Sequence, residues 1–350
     1  FSNRTIYGNH KIGHIIIGVT LSTRNISKEN LMDHLKPAAQ IALKDCMNLQ
    51  KGERVLIITD EPARNIGYAL WEGAKELGAE AIFTEIITPK SNGEEPPEPV
   101  AELMKLVDVI LIPTSKSLSH TDSRREASKA GVRIATLPGI TEDMMTRTLN
   151  ADYNEIAKKS DALAEIISNS SNIRITTEKG TDINLAVEGR DGHSDTGLNH
   201  SAGDFSNLPA GEAYVAPMEG KSQGNIVFDG SMAGVGILEN EVINVKVEDG
   251  YATEITGGAA ADRLYSIMEP FGKEAFNVAE LGIGTHDKAL ITGEVLEDEK
   301  VIGTVHIAFG DNKSMGGTIR VASHLDGVIK EPTVIADGDM IMDKGKLLIF

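Results

Sequence analysis

Between residues 54 and 138 short apolar runs alternate with amphipathic helical stretches, and this alternation constrains the fold more than any other feature of the chain. RVLIITD (Arg54 to Asp60) is a continuous apolar run bounded by polar residues, the pattern of a strand covered on both faces. A helical stretch from Ala63 to Leu77 follows and stops at Gly78, and AEAIFTEII then reads as a second strand. EPVAELMKLV, DVILIPTS, DSRREASKAG and VRIATLPG continue as helix, strand, helix and strand. Strands spaced by helices of about ten to fifteen residues imply a parallel sheet with helices on both faces. The expected fold class is therefore α/β, with a Rossmann-like, doubly wound domain over residues 35–170 that ends on the helix Asn150 to Ser170.

Beyond residue 170 the texture changes. NIRITTEKGTDINLAVEG alternates apolar and polar residues around a turn at Lys179-Gly180, which is hairpin chemistry, and GNIVFDG, VINVKVEDGYATEITGG and KVIGTVHIAFG continue the alternation. We expect residues 171–350 to form a second, mostly antiparallel β domain, interrupted by one helix at ADRLYSIMEPFG. A chain of 350 residues is long enough for two cores. Helical periodicity runs from Ser27 through Leu31, Leu35, Ala38, Ala42 and Cys46, while residues 1–34 as a whole read as an N-terminal arm or tag remnant.

Composition excludes some functions. A formal charge of −18 argues against a nucleic-acid partner, and no run approaches the ~20 apolar residues of a membrane-spanning helix. The single cysteine, Cys46, sits in a helix-core pattern and suits a reducing, cytoplasmic setting. The first strand is not followed by a G-x-G-x-x-G fingerprint, and Asp60 and Glu61 would repel a pyrophosphate, so the α/β fold brings no NAD site with it. SLSHTDSRRE places His120, Asp122 and Arg124 near a strand end, where open sheets bind ligands; a helix start capped by Thr121 or Asp122 is the plainer reading.

The chemistry gathers between Ala279 and Asp326. AELGIGTH, EDEKVIGTVHIAFGD and ASHLD offer Glu280, His306, His324 and Asp326 in strand-like segments. Residues two apart on an extended chain point to the same side, so His324 and Asp326 can present an imidazole and a carboxylate to one point. That is a ligand set for zinc, cobalt, manganese or ferrous iron. Glu294 and Glu299 lie just before the His306 strand, where either could brace a ligand from behind or accept a proton, although a run such as EDEK reads more simply as a solvated turn. His286 reads as a surface residue or an extra ligand.

LPAGEAYVAP (Leu208 to Pro217), AELGIGTH, EKVIGTVHIAFGD and SHLD, in that order after an α/β half, resemble the aminopeptidase T and aminopeptidase S family of metallopeptidases. The resemblance implies two divalent ions, of zinc, cobalt or manganese, held by Glu212, Glu280, His306, His324 and Asp326. It implies N-terminal trimming of short peptides and a homodimer. It also leads us to expect a catalytic tyrosine seven residues after His306, where this chain has Lys313. Glu212, Glu294 and Lys313 are the expected catalytic residues. A more distant resemblance is to 2,5-dihydroxypyridine ring-cleaving dioxygenases, which implies a mononuclear iron site with a histidine at the position of Glu280.

Overall fold

The computed structural model describes residues 33–349, so the expected arm lies almost wholly outside the described residues. The described chain is mixed α/β, with one parallel sheet and two antiparallel sheets. Four strands, β1 (Arg54–Thr59), β2 (Glu80–Glu85), β3 (Val109–Thr114) and β4 (Arg133–Pro138), alternate with the helices Arg64–Glu76, Glu98–Met104 and Asp122–Lys129. They pair in parallel in the order β2-β1-β3-β4. The unbroken apolar runs are explained by burial on both faces. Val55, Ile57, Val109 and Leu111 enter one core, and Leu56, Ile58, Ile110 and Ile112 enter another on the opposite side.

The helix Tyr153–Ser168 carries the chain out of this layer. The Asp152 side chain caps it by accepting from the backbone N–H groups of Asn154 and Glu155. Its first turn (Tyr153, Ile156) belongs to the parallel-sheet core, and its later turns (Leu163, Ala164, Ile167) belong to the antiparallel core. One helix thus ties both cores together.

After β5 (Asn172–Thr176), β6 (Asp182–Ala186) and β7 (His193–Asp195), the chain returns to the first sheet as β8 (Phe205–Asn207), parallel to β4. It then passes through a cis Leu208-Pro209 bond into β9 (Glu212–Val215). The remaining strands are β10 (Gln223–Phe228), β11 (Ser231–Met232), β12 (Gly236–Ile237), β13 (Ile243–Glu248), β14 (Tyr251–Thr256), β15 (Val278–Gly284), β16 (Thr304–Gly310), β17 (His324–Lys330), β18 (Thr333–Ala336), β19 (Asp339–Asp343) and β20 (Lys346–Leu347). The helix Ala259–Met268 interrupts them. An eight-stranded sheet has the order β14-β13-β10-β6-β5-β18-β19-β20, and a seven-stranded sheet the order β12-β11-β17-β16-β15-β9-β7. Among the described residues no helix is long and apolar enough to cross a membrane.

Buried polar contacts stitch the two regions. His286 is fully buried; its Nε2 donates to the Thr148 carbonyl at 3.0 Å and its Nδ1 accepts from the Lys288 N–H at 3.1 Å. A carbonyl only accepts, which fixes the neutral tautomer with its hydrogen on Nε2. Burial pushes this imidazole down to about 4. Beside it Ser160 and Thr285 share a hydroxyl hydrogen bond of 2.8 Å, and Arg147 forms an ion pair with the buried Glu297. His286 is therefore neither a surface residue nor a ligand.

Candidate metal site

The seven-stranded sheet brings the separated motifs together through its order. Glu212 lies on β9, Glu280 on β15, His306 on β16, and His324 and Asp326 on β17, four adjacent antiparallel strands. The register sets Gly284 opposite Glu212, Gly282 opposite His306, and Ala308 between Glu280 and Asp326. Small residues opposite the ligand candidates make room for them. A Cβ at Gly282 would lie 2.0 Å from His306 Nε2, so only glycine lets that ring lie across β15.

Glu280 is the centre of the cluster. Its Oε1 lies 3.4 Å from His306 Nε2, and its Oε2 lies 3.1 Å from His324 Nε2. Glu212 Oε2 approaches His306 Nε2 at 3.2 Å, and Asp326 Oδ1 approaches His324 Nε2 at 3.5 Å. Two triads result, Glu212/Glu280/His306 and Glu280/His324/Asp326, each with ligand atoms within 4.8 Å of one another. His324 Nδ1 donates to the Asp311 carbonyl at 2.8 Å, which leaves Nε2 for the cluster, the orientation a ligating histidine needs.

Charge is crowded here. Burial raises the Glu280 carboxyl, yet hydrogen bonds and charge from His306 and His324 outweigh it and hold Glu280 well below the carboxylate range. Burial would lower both histidines, but Glu280 and Glu212 hold His306 at about 9, and Asp326 with Glu280 holds His324 well above its ordinary value. The carboxylates thus favour positive charge at both imidazoles. A divalent cation would answer the same demand and compete with those protons.

EDEK is not a solvated turn. Glu297 and Asp298 are fully buried and Lys300 is 1% exposed. Asp298 accepts from the N–H groups of Thr292 and Gly293, while Glu297 pairs with Arg147 across to the parallel-sheet region. Lys300 Nζ donates to Glu212 Oε1 at 2.6 Å and to Glu299 Oε1 at 2.7 Å, and lies 3.7 Å from Asp195 Oδ2. Glu299 forms a third ligand group with His306 and Asp326. Burial raises the Glu299 carboxyl to about 8 and the Asp195 carboxyl to about 7, against the opposing pull of Lys300. Burial would lower the Lys300 amine, but Glu212, Glu299 and Asp195 hold it well above its usual value. Lys300 and Asp195 carry no motif; their only sequence signal is a lysine next to acids before an apolar strand.

The residues fit divalent metal on two observations. Glu212 Oε2 is a buried polar atom without a hydrogen-bond partner and it faces the cluster. The donor set is imidazole nitrogen and carboxylate oxygen, suited to zinc, cobalt, manganese or iron.

Glu294 belongs to none of the three ligand groups. It is exposed at the start of the short helix Val295–Asp298, and its carboxylate lies beside Gly139. Lys313 is exposed on a 3-10 turn, with its N–H on Asp311 Oδ1 at 3.1 Å. In the segment 119–125 Thr121 caps the helix Asp122–Lys129, and Asp122 pairs with Arg125. His120 is exposed, but near enough to the site to feel the charges of His324 and Asp311.

The family described as NicX, 2,5-dihydroxypyridine 5,6-dioxygenase, matches residues 35–349. Among solved structures, the 2,5-dihydroxypyridine dioxygenase from Pseudomonas putida KT2440 aligns over 92% of this chain and 98% of its own, at 16% identity and a TM-score of 0.79. Wild-type AmpT from Thermus thermophilus aligns over 90% of this chain and 99% of its own, at 18% identity and a TM-score of 0.67. At such identities each likeness is one of fold. No curated protein sequence matches the chain.

Proposed function

The chain belongs to the family described as NicX, 2,5-dihydroxypyridine 5,6-dioxygenase; within it, we propose that this chain acts as a two-metal hydrolase that removes N-terminal residues from short peptides. The observation that carries this reading is Glu280, whose two oxygens face two different histidines, each with a further carboxylate beside it. A single ion needs one such triad, whereas a shared carboxylate between two triads is the arrangement of a two-metal centre. Glu212, Glu280 and His306 would hold one ion, and Glu280, His324 and Asp326 the other. Bound there, the pair supplies Lewis acidity that activates water and polarises a peptide carbonyl.

The chain's own residues set the conditions for that chemistry. Glu280 and Glu212, both nearly buried, keep bulk water from the inner side of the cluster, while the half-exposed His324 leaves an approach from solvent. Glu299, raised to about 8, can hold a proton beside His306 and Asp326 at neutral pH and give it up when positive charge arrives. The free α-amine of a peptide suits the acidic surroundings, which is the reason to expect N-terminal trimming. Glu294 and Lys313, both exposed and outside the ligand groups, would act on substrate rather than on metal.

A second reading rests on the family's description and the Pseudomonas putida fold, which point to a ring-cleaving dioxygenase. A mononuclear ferrous centre of that type takes two histidines and one carboxylate, whereas here His306 and His324 fall in separate ligand groups and Glu280 stands where the resemblance implies a histidine. One experiment separates the readings. Leu- and Phe-initiated dipeptides and 2,5-dihydroxypyridine are each incubated with the protein and cobalt, zinc or ferrous iron. Amino-acid release that a chelator abolishes supports the hydrolase. Oxygen uptake with the pyridine and no peptide cleavage overturns it in favour of the dioxygenase.

A further inference from the structure

Lys300 is a fully buried cation that neither reading uses. Its ammonium sits among three carboxylates, Glu212, Glu299 and Asp195, each on a different segment of the chain. Its main chain is fixed as firmly as its side chain. The Lys300 carbonyl accepts from the His286 N–H at 2.8 Å, and a Cβ at Gly284 would lie 2.1 Å from the Val301 carbonyl oxygen and 2.8 Å from the Lys300 carbonyl carbon. The 300–301 backbone is thus pressed onto β15, and the ammonium it carries is held among the three carboxylates.

Glu212 shows the consequence. Its Oε1 is taken by Lys300 at 2.6 Å, whereas its Oε2, buried and without a hydrogen bond, is turned to His306. A carboxylate with both oxygens free can swing or chelate; one held by an ammonium presents a single oxygen in a single direction. We propose that Lys300 is the positioning residue of the metal site, fixing Glu212 as a one-oxygen ligand, so that the Glu212/Glu280/His306 position depends on Lys300 directly, while the Glu280/His324/Asp326 position, which Lys300 reaches only through Glu299 beside Asp326, depends on it far less. The inference rests on the two-metal reading and adds to it a difference between its halves.

The sign of the effect makes this testable. If Lys300 served only to offset negative charge, removing it would make the site more anionic and bind a divalent cation more tightly. If it positions Glu212, removing it weakens one ion and spares the other. The probe is zinc or cobalt alone, titrated calorimetrically into metal-free wild type and Lys300→Met, with the cobalt absorption spectrum recorded alongside. We expect two ions in the wild type. In Lys300→Met one ion should bind within about threefold of its wild-type affinity, and the other should weaken tenfold or more, with loss of its spectral component. Two ions bound as tightly as, or more tightly than, in the wild type would overturn the proposal. Should Lys300→Met show no cooperative thermal transition, Lys300→Gln, which is uncharged and one bond shorter, is titrated for the same two outcomes. A wild type that binds one ion overturns the two-metal reading itself, before any variant is made, so the two failures are distinguishable.

Discussion

β1 and β3 in the parallel sheet and β15 and β16 in the seven-stranded sheet are buried to almost the same degree, yet they use that burial in opposite ways. The first pair fills both faces with Val, Ile and Leu, and its interior stabilises the fold. The second pair sets Glu280 and His306 into equally inaccessible positions, with Lys300, Glu212 and Asp326 against them. A charge placed there is tolerated only when paired, and every member of the cluster is paired with another member. Burial alone therefore does not separate scaffold from site; the break in an otherwise apolar strand does.

The largest test of that contrast is Glu280→Ala, which removes the carboxylate common to both triads. Both ions should be lost on metal analysis, and turnover should fall roughly a thousandfold or more, since several kcal/mol of charge stabilisation go with the metals. A variant that retained two ions would move the site away from β15. The counterpart is Leu111→Ala on β3, where a fully buried leucine packs between sheet and helices. Denaturant unfolding should show a loss of about 2–5 kcal/mol, from lost transfer energy and the cavity left behind, with metal content unchanged. If Leu111→Ala altered metal stoichiometry while still folded, the division of labour between the sheets would be wrong.

The junction offers a test by pH. His286 is held neutral at about 4, below the ~6.5 of an unfolded histidine. Above pH ~6.5 neither state carries the proton and nothing is lost. As pH falls toward 4 the unfolded chain takes up a proton that the native site refuses, so stability drops through this window, by roughly 3 kcal/mol once pH lies below 4. In His286→Gln, which keeps a donor for the Thr148 carbonyl, the slope of unfolding free energy against pH should lose about one proton over that range. Equal slopes in the two proteins would show that His286 titrates normally and is not part of the clamp.

Sequence and structure agree where local pattern decides. The strand of RVLIIT, the hairpin at Lys179-Gly180 and the helix around Tyr153–Ser168 are visible because burial on two faces, turn chemistry and 3.6-residue periodicity each leave a local trace. The short strand Phe205–Asn207 leaves none: its membership of the parallel sheet is set by β4, some seventy residues away in sequence. EDEK misleads because a charged run is normally solvated, and here three of its members are buried by their partners, Arg147 and Glu212 on distant segments and the 292–293 backbone of the loop just before. The proposed ligands were legible only as ordered motifs. The residues behind them, Lys300 and Asp195, were not, because nothing local distinguishes a lysine that will be caged from one that will be wet.

The smallest expected effect concerns the segment 119–125, where a polar cluster at a strand end could have meant chemistry in the parallel-sheet region. Thr121 Oγ1 accepts from the Arg124 N–H at 3.2 Å and donates to the Leu118 carbonyl at 2.8 Å, so it satisfies one backbone donor at the helix start and one acceptor in the loop before it. Replacing it by alanine should cost about 1 kcal/mol of unfolding free energy, the usual worth of such a cap. Metal content should not change, and turnover should stay within a few-fold, because the helix Asp122–Lys129 is braced independently by the Arg124 Nε bond to the Ser119 carbonyl and by its buried Ala127. His120 precedes that cap in sequence and is near enough to the site to feel the charges of His324 and Asp311, though burial and Arg124 act on it more strongly. A tenfold or larger loss of turnover in Thr121→Ala, with stability nearly intact, would therefore mean that the loop's exact placement matters to the reaction, and that the parallel sheet contributes to the site as well as to the scaffold.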